Sequence, residues 1–124
     1  MYTVTYFKRL NDRKPLKVWI DGQDKAIRAS IFSKIEDLKK EGLNLLGNNS
    51  LHPIKSSDKG LYELRNVGVN WRIGLYYDTR YNAFILLHGW SHDKNHKKEI
   101  LVGEIEKARG FLREYMAMEK RRYG

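Results

Sequence analysis

Hydrophobic positions along this chain follow two periods, and each change of period marks an element. From Tyr2 to Phe7, β-branched and aromatic residues alternate, which predicts a strand. The polar turn Asn11-Asp12-Arg13-Lys14 leads into Pro15 and predicts a short helix ending near Gly22. From Asp21 or Asp24 the period lengthens. Ile27, Ile31, Ile35 and Leu38 form one helical stripe with Lys and Glu opposite, and Gly42 is placed to end the helix. Leu43 to Lys59, rich in Gly, Asn and Ser, reads as a connection with a brief extended piece around His52 to Lys55. Gly60 to Lys98 returns to period two as three short strands, and Leu101, Ile105, Ala108, Leu112 and Tyr115 predict a second long helix from about Glu99 to Glu119. This order predicts one α+β domain over residues 1–124: a small twisted sheet, antiparallel but mixed at its edge, with the N-terminal helices and the C-terminal helix packed on one face.

Alternation along the strands sorts the side chains. Trp71, Ile73, Leu75 and Tyr77 should share a core face with Tyr62, Leu64, Ala83, Ile85 and Leu87. Glu63, Arg65, Arg72, Gly74, Tyr76, Leu86 and His88 fall on the other face, a set too polar to lie under both helices and therefore the expected functional face. A hairpin turning through Gly68-Val69 sets Arg65 across from Arg72. A short turn around Thr79 to Tyr81 would add His88 to that row.

Composition changes this picture in one direction. Lys and Arg number 24 against 15 Asp and Glu, giving a net charge of +9 and a pI near 9.8, which favours a polyanion such as nucleic acid, or an acidic protein. The absence of cysteine excludes disulfides, Cys-ligated zinc and thiol catalysis. The first residues lack the apolar core of a signal peptide, and no run approaches the roughly 18 apolar residues of a membrane span. A cytoplasmic protein without membrane association is expected.

Two arginines opposed across a sheet repel by some tenths of a kcal/mol unless something negative lies between them. Two occupants fit: Glu63, diagonal to Arg72, or a phosphate of RNA or DNA, whose oxygens match the planar guanidinium donors. After the third strand, Trp90-Ser91-His92-Asp93-Lys94-Asn95-His96-Lys97-Lys98 crowds imidazoles and ammonium groups together. Such a loop either transfers protons or simply adds electrostatic attraction, while Trp90 and Tyr76 are candidates to stack on bases. His92 and His96 have no evident third metal ligand, and neither a glycine-rich phosphate loop nor a nucleophile elbow is present, so no metal or cofactor is expected.

The ordered segments KRLNDRKPLKVWID, KIEDLKKEG, GLYELR, WRIGLYYD, AFILLHGW and EIEKAR resemble the phage-derived Gp49-like and HigB-type toxins of the RelE superfamily, over nearly the whole chain. The resemblance implies a RelE-like fold and a metal-independent endoribonuclease that cuts mRNA on the 70S ribosome, silenced by a HigA-like helix-turn-helix antitoxin. It also implies that Arg72 meets the scissile phosphate with help from Arg65, and that His92 and Lys94 transfer protons. Lys97, Lys98, Trp90, Tyr76, His88 and His96 would then bind RNA. A ribosome-independent ribonuclease and a non-catalytic module that binds RNA or antitoxin remain open alternatives.

Overall fold

The computed structural model describes residues 1–92 and 98–123. Strand β1 (Thr3–Tyr6) is followed by helix α1 (Pro15–Asp21), which starts on a proline whose missing N–H costs nothing in the first turn. Helix α2 (Lys25–Glu41) begins at Asp24, whose carboxylate accepts from the Ile27 N–H at 3.0 Å, the N-cap bond that the exposed first turn lacks. It stops at Gly42, where φ is +53° and the Tyr2 ring comes within 2.2 Å of where a Cβ would stand. Any other residue there would be strained and would clash.

A 3₁₀ turn (Gly42–Asn48) leads to β2 (Leu51–Pro53). The extended piece therefore sits slightly earlier than its sequence suggests. Then come β3 (Leu61–Arg65), β4 (Trp71–Asp78), β5 (Ala83–Ser91) and α3 (Lys98–Tyr123). The five strands form one mixed sheet in the order β1-β5-β4-β3-β2, parallel only between β1 and β5. Among the described residues no helix is long and apolar enough to cross a membrane.

The helices do not share a face. Leu16 and Ile20 of α1 and Ile31, Ile35 and Leu38 of α2 pack with Leu64, Trp71, Ile73, Leu75, Phe84 and Leu86 on one side. On the other side Leu112, Phe111 and Tyr115 of α3 pack with Leu61, Tyr76, Ala83, Ile85 and Leu87. The expectation of a single covered face fails because the supposedly polar face is apolar along half its length. Gly74 lets α3 approach: a Cβ there would stand 3.1 Å from that of Ala108.

Strict alternation also misplaces β5. Gly74 pairs with His88, but the next β4 residue, Leu75, pairs with Leu86, so Leu87 is an extra residue on β5. This bulge reverses the phase. Phe84 and Leu86 consequently join Trp71's side, whereas Ala83, Ile85 and Leu87 pack under α3.

Candidate nucleic-acid interface

Past the bulge, the far halves of β3, β4 and β5 lie under the start of α3. The β3–β4 hairpin turns with Gly68 at φ +83°, and Arg65 pairs directly with Arg72. On the other side of Arg72 the paired residue is Trp90; the bulge sets His88 against Gly74 instead. The polar row is thus Arg65, Arg72 and Trp90. It forms the floor of a cleft of about 210 Å³ bordered by Glu63 and His92 and walled by Ile54, Leu101 and Ile105. An adjoining hollow of about 350 Å³ opens on the hairpin side of the same two arginines, beside Asn49 and Asn66.

Arg72 is held in place by its own strand end. Its Nη1 donates to the carbonyls of Trp71 at 2.8 Å and Val69 at 3.1 Å, fixing the guanidinium plane. Nε lies 3.0 Å from Glu63 Oε1, but this is an ion contact without hydrogen-bond alignment, and Nε is buried with no hydrogen-bond partner. Burial depresses the Arg72 pKa below its ordinary value; Glu63 opposes that shift and the Arg65 charge adds to it. The guanidinium is still cationic. Counting Arg65 and Arg72 against Glu63 leaves one net positive charge on the cleft floor.

Arg65 has no carboxylate partner among the described residues. Its Nη2 lies 3.2 Å from Nδ1 of His52 and also touches Nε2, while His52 Nε2 is 3.1 Å from the Asn49 carbonyl. His52 belongs to β2 and pairs with Glu63. Sequence reading passed over it because a three-residue strand carries no measurable period.

The other expected residues are divided. His92 borders the cleft, its N–H anchored to the Asn70 carbonyl at 2.7 Å. Trp90 is 5% exposed and its indole Nε1 is buried without a hydrogen-bond partner, so little of its ring is open for a base to stack on. Two lie apart from the cleft. Tyr76 lies four residues along β4 from Arg72, under α3 with its ring centroid 6.0 Å from that of Tyr115, and is a packing residue. His88 stands outside the cleft, bonded to Glu104 at 2.6 Å and stacked on Trp90 at 5.8 Å. Lys98 is the exposed first residue of α3. Lys94, His96 and Lys97 lie outside the described residues. Leu101 and Ile105, expected in the core, form the cleft wall, whereas Ala108 and Leu112 are buried.

Among the described residues no cluster of three or more His, Asp or Glu could hold a metal ion. The arrangement suits an anion: a rigid guanidinium, a second one beside it that His52 contacts, apolar walls that lower the local dielectric, and His92 at the border.

An α+β protein with a five-stranded mixed sheet and a basic cleft under its last helix is the class these features define. The architecture is that of a chain in the crystal structure of the toxin–antitoxin complex RelBE2 from Mycobacterium tuberculosis. The TM-score is 0.54 at 15% identity, with 73% of this chain and 91% of that one covered. No family model matches the sequence. No curated protein matches it either.

Proposed function

We propose that this protein is the toxin of a type II toxin–antitoxin pair, an endoribonuclease that cuts mRNA in the ribosome without a metal. The observation that carries the reading is the Arg65–Arg72 pair, opposed across β3 and β4 at the floor of a cleft where, among the described residues, Glu63 is the carboxylate that balances it. Its fold, shared with a chain of a toxin–antitoxin complex, supports the same reading.

In the proposed reaction, a ribose 2'-hydroxyl attacks the adjacent phosphorus in line, and the P–O5' bond breaks to leave a 2',3'-cyclic phosphate and a 5'-hydroxyl. Arg72, its plane fixed by two carbonyls, receives the non-bridging oxygens and stabilises the charge that develops on them. Arg65 assists from the facing strand. The 2'-hydroxyl proton passes to a neutral imidazole, and a protonated group supplies the leaving 5'-oxygen. His92 is the described candidate, joined by Lys94 of the basic loop, while His52, whose two ring nitrogens face Arg65 and the Asn49 carbonyl, steadies Arg65. Trp90, Lys97, Lys98 and His96 are proposed to steady the RNA.

The proposed partners are mRNA, the 70S ribosome and a HigA-like helix-turn-helix antitoxin, and the proposed compartment is the cytoplasm. One observation favours a non-catalytic binding module instead: Glu63 already occupies one side of Arg72. Primer extension on a defined mRNA, with and without programmed ribosomes and with EDTA in the free-RNA arm, separates these. Cuts only with ribosomes support the proposal; cuts on free RNA indicate an independent ribonuclease. No cuts in either arm leave the binding module.

A further inference from the structure

The two arginines of the cleft floor are tethered from the opposite side of the sheet. Arg65 ends β3 and Arg72 is the second residue of β4, so the loop between the strands, residues 66–70, governs how the pair is spaced. The two residues that flank the arginines converge on one side chain. Ser30 Oγ, on α2, accepts from Asn66 Nδ2 at 3.0 Å and from Trp71 Nε1 at 2.9 Å. One helical turn on, Lys34 reaches the same strand end. Its Nζ donates to Ser50 Oγ at 3.1 Å, and the Ser50 carbonyl takes the Arg65 N–H at 2.9 Å. Ser30 and Lys34, four residues apart, share one face of α2 beside the apolar stripe.

Packing explains only part of this. Trp71 is buried in the core, and its indole N–H needs an acceptor, a need that Ser30 meets. That need does not account for Asn66 coming to the same oxygen, nor for the path from Lys34 through Ser50 to Arg65; both lead to an arginine. The loop also carries what holds Arg72. The carbonyls of Val69 and Trp71 accept from its guanidinium, and the Val69 N–H bonds the Asn66 carbonyl at 3.1 Å. A shift of this loop against α2 therefore moves the acceptors that fix the guanidinium plane.

We propose that Ser30, across the sheet from the cleft, is a positioning residue for the Arg65–Arg72 pair and sets how the two guanidinium groups meet a phosphate. It touches no substrate and acts through the arginines. Its effect on cleavage rests on the proposed function; the tether itself does not. Donors displaced by a fraction of an ångström still attract an anion but no longer stand where charge develops, so the loss falls on the chemical step more than on binding.

The test is cleavage kinetics on the full-length protein. Ser30→Ala should lower kcat about tenfold and leave KM within about twofold, and Ser30→Thr, which keeps the hydroxyl, should restore kcat. Added to Arg72→Ala, Ser30→Ala should cause little further loss, because it acts through Arg72. A merely structural Ser30 would lower the melting temperature and leave the kcat of folded protein alone. Ser30→Cys keeps the shape of the side chain with a weaker acceptor, so its kcat decides the matter should Ser30→Ala fail to fold. A second readout needs no RNA. In nitrogen–proton NMR spectra, the Arg72 guanidinium signals should stand apart from those of surface arginines in wild type and Ser30→Thr, and should merge with them in Ser30→Ala. If the signals behave so while wild type cuts no RNA, the tether stands and the cleavage reading falls. Unchanged Arg72 signals in Ser30→Ala, an unchanged kcat, or an equal loss with and without Arg72 overturns the proposal.

Discussion

Arg72 differs from a surface arginine in what surrounds it. Two backbone carbonyls hold its plane, burial lowers its pKa, and the second arginine stands across the ladder. A group fixed in this way reorganises little when charge develops on a phosphate, so Arg72→Ala should lower cleavage about 10²- to 10³-fold with the fold retained. Primer extension beside a thermal melt measures both. Near-normal cutting would remove Arg72 from the reaction. Asp78 shows how a residue of similar charge content is structural instead. It is 1% exposed, takes two bonds from the Arg80 side chain at 3.0 and 2.7 Å, and accepts from Tyr115 at 2.6 Å. The Arg80 bond, ahead of the Tyr115 bond and against burial, holds its carboxyl below the usual range. A depressed folded pKa contributes stability that is complete above the unfolded value near 4 and is lost as pH falls through the folded value. Denaturant titrations should therefore show wild type weakening below about pH 4. Asp78→Asn should lose about 1–3 kcal/mol at neutral pH and flatten that acid limb.

α3 does two jobs along its length. Its middle, at Ala108 and Leu112, packs on the sheet, and Tyr115 reaches the buried Asp78. Its beginning, at Leu101 and Ile105, is the wall of the arginine cleft. Leu112→Ala should cost about 2–5 kcal/mol, the usual loss for a buried leucine, whereas Leu101→Ala should shift the melting temperature little and lower cleavage instead. Equal destabilisation by both would refute this division. The bulge in β5 acts at the same scale. One extra residue puts His88 on the same side as Leu87, opposite to the phase set by Phe84 and Leu86, and brings Trp90, not Gly89, beside Arg72.

Across the molecule, the excess of nine positive charges makes any RNA complex salt-sensitive. For single strands, log K should fall with log salt at a slope of about −0.7 per phosphate neutralised, so removing Arg72 should flatten the slope by about that amount. Fluorescence anisotropy across a salt series reads it directly. An unchanged slope would mean that Arg72 touches no phosphate.

Much was legible in the chain itself. The stripe Ile31–Ile35–Leu38 and the stop at Gly42 specified α2, and the glycine turn at Gly68 sufficed to set Arg65 against Arg72, because both depend on neighbours close in sequence. Charge and composition pointed to an anionic partner in the same way. Tertiary structure alone decided the rest. Whether an apolar strand such as AFILLHGW is covered on one side or two depends on where a helix many residues later comes to lie, and α3 covers the second side. Tyr76 and His88 do share Arg72's face, but α3 crosses that face and claims both, Tyr76 through Tyr115 and His88 through Glu104, so neither shares its cleft. His52 joined Arg65 only through the sheet, across the β2–β3 pair, and no local pattern announces such a contact. Contacts within a turn or a helix are written in spacing, whereas contacts between distant segments exist only once the chain has closed on itself.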